Sequence, residues 1–73
     1  MFVLIHCKIG SEEGIVKKLK SIDSVREVKG VFGIYDILVK IEAKDEKTIR
    51  NVVSLQIQKI ENIQSTLILI TKS

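Results

Sequence analysis

The polar groups of this chain best placed to act together are Tyr35 and Asp36, two residues beyond Gly33 in Val31-Phe32-Gly33-Ile34-Tyr35-Asp36-Ile37-Leu38. They offer a phenol, a carboxylate and a backbone left uncovered at a bend, all hydrogen-bonding groups suited to holding a polar ligand. Glycine at the bend permits a positive φ or a close backbone approach that other residues reach only at a cost. The same residues have a structural reading: strand, tight turn, strand, with Asp36 capping its own backbone. Asp36 opens the strand-like run Ile37-Leu38-Val39-Lys40-Ile41, an odd place for an unpaired charge.

Bond-breaking chemistry has no comparable cluster. No Ser/His/Asp or Cys/His nucleophile set is assembled by spacing. Cys7 is the only cysteine and His6 the only histidine, so neither a disulfide nor a His/Cys metal cluster is available within one chain. A glycine-rich phosphate loop is absent. No catalytic residue, metal ligand or cofactor is expected, and the chain does not read as an enzyme.

The 73 residues suffice for one small domain. A domain of this size buries only about 60% of its unfolded surface, so it gains much from a partner. The net charge of +3 comes from twelve basic and nine acidic residues that are scattered. That is too weak for a nucleic-acid footprint. Lys17, Lys18 and Lys20 form the one basic cluster and read as the solvated face of a helix. No apolar run approaches the roughly 18–20 residues that cross a membrane. A free cysteine without a targeting segment points to the cytoplasm.

The elements that must position Tyr35 and Asp36 follow from apolar periodicity. Residues 2–9 alternate as a strand, with Val3, Ile5, Cys7 and Ile9 on a helix-facing side and Phe2, Leu4, His6 and Lys8 on the other. Ser11 caps a helix whose stripe is Ile15, Val16, Leu19 and Ile22. Residues 25–32 form a poor, polar strand suited to a sheet edge, and residues 36–42 form a third strand. Asp45 caps a second helix buried through Ile49, Val52, Val53, Ile57 and Ile60, and residues 63–71 form a fourth strand. An internal echo pairs Leu19-x-x-Ile22-Asp23-Ser24-Val25-Arg26 with Ile57-x-x-Ile60-Glu61-Asn62-Ile63-Gln64.

Two strand–helix–strand halves give an α+β, ferredoxin-like βαββαβ fold: a four-stranded antiparallel sheet with both helices on one face. Strands one and three are central and two and four are edges. The fourth strand is apolar on both sides, and the helix-free face carries Phe2 and Leu4. A homodimer that pairs the open sheet faces covers this surface, with Phe2, Leu4, His6, Leu67 and Leu69 at the contact. His6 reads there as a packed or hydrogen-bonding residue and not as a ligand. Other uses of the fold fit poorly. The loop Lys8-Ile9-Gly10-Ser11 lacks the Cys-x-x-Cys of metal carriers. The aromatics Phe2, Phe32 and Tyr35 leave the body of strand three bare of base-stacking groups. Neither Arg26 nor Arg50 lies in an anion loop.

The chain resembles the effector-binding (RAM) domain of the Lrp/AsnC family of transcription regulators across residues 1–73. Gly33-Ile34-Tyr35-Asp36 matches that family's Gly-x-Tyr-Asp between strands two and three. Val25-Arg26-Glu27-Val28 resembles its Val-x-x-Ala/Val, and Ile37-Leu38-Val39-Lys40-Ile41 its third strand. Ile60-Glu61-Asn62-Ile63-Gln64-Ser65-Thr66 is similar to its Ile/Leu-Pro-Gly-Val-x-x-Thr. The resemblance implies dimers that associate into octamers or decamers, and a small effector, commonly an amino acid, bound between dimers. It assigns Gly33, Ile34, Tyr35 and Asp36 to one wall of that site and Ser65 and Thr66 to another. A carboxylate, hydroxyls and turn backbone can hold an ammonium and a carboxylate.

Two departures stand out. Asn62 replaces the family glycine, without the preceding proline, and asparagine tolerates the left-handed conformation. Ile68 stands where a second threonine is common, which removes one polar contact and implies a different ligand or weaker binding. The family's helix-turn-helix is absent, so the resemblance implies a stand-alone form that does not contact DNA directly and that modulates full-length relatives by co-assembly. The alternatives are a dimeric ferredoxin-like barrel enzyme and a purely structural oligomerisation module.

Overall fold

The computed structural model of the chain describes residues 1–69. Strand β1 runs Phe2–Cys7, helix α1 Glu12–Lys20, strand β2 Val25–Gly30 and strand β3 Ile37–Ile41. Helix α2 runs Glu46–Val52 and continues as a π-helical stretch, Val53–Ile57, before strand β4, Ile63–Leu69. The sheet order is β2-β3-β1-β4, and every neighbouring pair is antiparallel. This is the ferredoxin-like arrangement, with β1 and β3 central.

Alternation dictates the layers. Val3, Ile5 and Cys7 of β1 and Ile37, Val39 and Ile41 of β3 are buried beneath the helices. They meet Ile15 and Leu19 of α1 and Ile49, Val52, Val53 and Ile57 of the second helical segment. Each such side chain contributes about 1.5–3 kcal/mol by leaving water. Ile68 faces the same way, since it pairs with Val3. The cap at α2 is as the sequence implies: Asp45 Oδ1 accepts the Thr48 backbone N–H at 2.8 Å. At α1 it is not. The Ser11 hydroxyl donates to the Lys8 carbonyl instead of receiving a helix N–H.

The internal echo is structural. Ile22 N–H donates to Leu19 and Val25 N–H to Ile22, and Ile60 N–H donates to Ile57 and Ile63 N–H to Ile60. Both helices thus unwind into their following strands through the same bonds. Asn62 has φ 73°, the left-handed region, and its carbonyl accepts Lys8 N–H at 2.9 Å. That bond ties the start of β4 to the end of β1.

Four expected strand boundaries move inward, the end of β1, the end of β2 and both ends of β3. β1 stops at Cys7, and Ile9, expected on the helix-facing side, is 92% exposed. The chain turns there through Gly10 at φ 89°, with Ser11 N–H closing on Lys8. β2 stops at Gly30 and β3 begins at Ile37, so residues 31–36 are a loop and not a tight turn. Val31 N–H closes it on the Asp36 carbonyl at 2.9 Å. Residues 70–71, expected in β4, lie outside the described residues.

Candidate functional site

Asp36 is fixed at its backbone and its side chain. Its N–H donates to Ile5 at 2.8 Å, which anchors the loop to β1 just before β3 begins. Its Oδ2 accepts the Cys7 N–H at 3.0 Å and lies 3.0 Å from His6 Nδ1. The carboxylate therefore bonds across to β1, which corrects the reading that Asp36 caps its own backbone. The physical reason is the strand end. On the β3 side the β1 ladder ends at Ile5, and a carboxylate on the loop before β3 takes the Cys7 N–H left free there. That bond, followed by the His6 charge, holds the Asp36 carboxyl below the usual range despite some desolvation. Burial pushes the Cys7 thiol up, so it behaves as a small hydrophobe.

Gly33 carries φ 135°, the left-handed side of the map that favours glycine, and its surroundings are open. Ile34 is exposed, while Tyr35 and Asp36 are half-buried. The first wall named from sequence is thus a projecting loop with a firmly held carboxylate at its base.

Ser65 and Thr66 lie on β4, one strand beyond β1. Ser65 pairs with His6 and Thr66 with Ile5, so they point to opposite faces of the sheet. Both nevertheless line one hollow of about 300 Å³ at the sheet edge, with Gln58, Ile63 and Gln64. Gln58 Nε2 donates to Thr66 Oγ1 at 3.1 Å. No motif or spacing marked Gln58 beforehand. It is turned toward β4 by the π-helical stretch, which its own N–H closes on Val53 at 2.8 Å.

Within one chain the two walls are separated by β1. Asp36 and Ser65 lie on either side of His6. Asp36, His6 and Ser65 form a row across one end of the helix-free face, a set of residue types that sequence spacing did not bring together. Among the described residues Ser65 makes no hydrogen bond to the ring.

The rest of that face is divided. Phe2 and Leu4 of β1 and Leu67 and Leu69 of β4 make an apolar half, with Leu67 42% and Leu69 40% exposed. Toward β2 a hollow of about 180 Å³ is lined by Phe2, Leu38, Lys40 and the ion pair Glu27–Lys29. A hollow of about 230 Å³ beside α1 includes Lys18, Glu61 and Asn62 and lies away from the Tyr35–Asp36 cluster. Among the described residues no group of three His, Cys, Asp or Glu side chains gathers as metal ligands, and no helix is long and apolar enough to cross a membrane.

An open-faced ferredoxin-like sheet, with a hydrogen-bonded carboxylate and a glycine loop at one end, defines a small α+β domain. The chain belongs to the Lrp/AsnC ligand binding domain family, whose model matches residues 1–72. Among solved structures it is similar to FFRP-DM1, with 34% identity, 94% of this chain and 95% of that one covered, and a TM-score of 0.81. A Thermus thermophilus protein gives 26% identity, 99% and 91% coverage, and a TM-score of 0.89. E. coli AsnC gives 31% identity, covering 97% of this chain but 50% of AsnC, with a TM-score of 0.84. Among curated proteins, the homocitrate synthase of Sulfolobus acidocaldarius is 38% identical over 53 residues, 73% of this chain. The matched segment is 11% of that enzyme's length.

Proposed function

We propose that this chain is a regulatory domain that self-assembles and binds a small effector, an amino acid, at contacts between subunits. Gly33, Ile34, Tyr35 and Asp36 of one subunit form one wall, and Ser65 and Thr66 of another subunit form the second. The separation of the two walls by β1 within one chain supports a site completed between chains. The apolar half of the sheet face, Phe2, Leu4, Leu67 and Leu69, pairs with its copy in a dimer with the His6 ring at its rim, and dimers associate into an octamer or decamer. Full-length Lrp/AsnC regulators are the natural partners in mixed assemblies, and the cytoplasm is the natural compartment.

The observation that carries this reading is the state of Asp36. Both protein donors end on Oδ2, and Oδ1 accepts no bond among the described residues. A carboxylate so held is a preorganised acceptor for an ammonium group. Calorimetry of the assembled protein against the twenty amino acids tests the reading. One or a few amino acids bind, and Asp36→Ala weakens that binding about tenfold or more, the worth of a hydrogen bond between charged groups. Absence of binding by every amino acid, or binding unmoved by Asp36→Ala, rules the assignment out.

The homocitrate synthase similarity favours a second reading, in which a domain of this kind governs an enzyme and not a DNA-bound regulator. The match covers too little of that enzyme to extend its chemistry here, and the chain is proposed to be non-catalytic. Affinity capture that recovers only a metabolic enzyme, and no Lrp/AsnC regulator, selects the second reading.

A further inference from the structure

A separate hollow at the end of β1 holds a different set of groups. It has a volume of about 320 Å³ and is lined by His6, Cys7, Lys8, Ile9 and Gln64. Among the described residues no carboxylate lines it. Lys8 is exposed and enters no ion pair among the described residues. Gln64 is there because the β1–β4 ladder slips. His6 pairs with Ser65 but Cys7 pairs with Ile63, so Gln64 is skipped. Bulges of this kind re-aim side chains and recur beside binding sites.

The Asp36 contact sets the polarity of the imidazole. An ionised carboxylate only accepts, so Nδ1 must carry the hydrogen of the 3.0 Å contact. Nε2 is then a bare acceptor in the neutral ring and an N–H donor in the protonated one. The ring itself stands between Nε2 and Asp36, and Oδ2 is further occupied by the Cys7 N–H. Among the described residues, the groups beside the ring are also Lys8, just past the end of β1, and, on β4, the uncharged Ser65 and Gln64.

We infer that this hollow is a carboxylate subsite: protonated His6 through Nε2, the Lys8 ammonium and the Gln64 amide hold the carboxylate of a small aliphatic acid, with Ile9 against its hydrocarbon part. The inference deepens the effector reading and rests on it for the ligand's other end. An amino acid here turns its ammonium toward Asp36 Oδ1 and its carboxylate toward His6.

Two half-ligands test it on the intact protein. Sodium isovalerate has the carboxylate and the aliphatic chain, and isoamylamine has the chain with an ammonium instead. His6 is the only histidine, so its ring signals are identified in the NMR spectrum without ambiguity. Isovalerate is expected to shift the His6 ring and Lys8 signals at pH 5.5. Isoamylamine and sodium chloride at equal ionic strength leave them in place. His6→Gln, which keeps a hydrogen-bonding side chain but carries no charge, is expected to weaken isovalerate binding severalfold. A His6 ring unmoved by isovalerate at pH 5.5, an equal shift with chloride or isoamylamine, or unchanged binding to His6→Gln overturns the subsite. Amino-acid binding without any His6 response defeats this inference alone. An isovalerate response without any amino-acid binding defeats the effector reading alone.

Discussion

Asp36 Oδ2 lies 3.0 Å from His6 Nδ1 and accepts the Cys7 N–H at the same distance, so one carboxylate oxygen fastens the loop before β3 to the end of β1. The residues are about thirty apart in sequence and come together only because β1 and β3 are adjacent. The contact keeps a charged group in place beside an otherwise projecting loop. It also leaves Oδ1 as the carboxylate's open acceptor among the described residues.

The contact has an acid signature. The Asp36 carboxyl titrates below the usual carboxylate value when folded, chiefly through the Cys7 N–H. A depressed folded value means stability that is present above the unfolded value, near pH 4, and lost as pH falls through the folded one. Asp36→Asn is therefore less stable than the native chain near neutral pH, and the margin shrinks as pH falls below about 4. Urea denaturation at fixed protein concentration, from strong acid to neutrality, measures it. A margin that grows in acid contradicts the assignment.

Asn62 occupies the left-handed conformation at φ 73°. Asn62→Gly is expected to be near neutral, because glycine adopts this conformation freely. Asn62→Val is expected to cost about 1–2 kcal/mol, the penalty of a branched side chain there. Thermal or urea unfolding of the two variants side by side checks the difference.

The apolar half of the open face predicts a selective effect on assembly. Leu67 and Leu69 are 42% and 40% exposed, so a lysine at either position keeps access to water in the isolated chain. Leu67→Lys is expected to lower the oligomer mass in sedimentation while leaving the far-ultraviolet circular dichroism unchanged. Ile57→Ala makes the contrast. Ile57 is fully buried at the end of the π-helical stretch, and its truncation is expected to cost about 2–5 kcal/mol of stability. Unfolding at matched concentrations separates loss of assembly from loss of fold.

The hydrogen bond from Gln58 to Thr66 predicts a further ligand effect. Gln58→Leu removes the donor that orients the Thr66 hydroxyl. Effector affinity is expected to fall severalfold, with little change in folding because Gln58 is exposed. Calorimetry on the variant, with the amino acid found by screening, reads the change.

What sequence made legible were the parts governed by period. Val3, Ile5, Cys7 and Ile37, Val39, Ile41 alternate in and out, and Ile49, Val52, Val53 and Ile57 follow a helix stripe, so the sheet faces and helix faces could be read directly. The Asp45 cap and the left-handed Asn62 were legible because each is a local effect of one side chain. Ile9 was misplaced because an apolar pattern does not reveal where Gly10 turns the chain away. Val31 and Phe32 favour strands but receive no strand partner, so β2 ends before them. The candidate site was visible as Gly33-Ile34-Tyr35-Asp36, yet its bracing was not. The His6 and Cys7 contacts to Asp36, the bulged Gln64 and the Gln58–Thr66 bond all depend on tertiary placement or an irregular ladder.

A site shared between subunits is decided by a crystal structure of the assembled protein grown with the amino acid that binds in calorimetry. Ligand density is expected between subunits, with the ammonium on Asp36 of one chain and Ser65 and Thr66 of another within reach. Density confined to a single subunit away from Asp36, or a filled assembly whose Gly33–Asp36 loops touch no ligand, refutes the shared site.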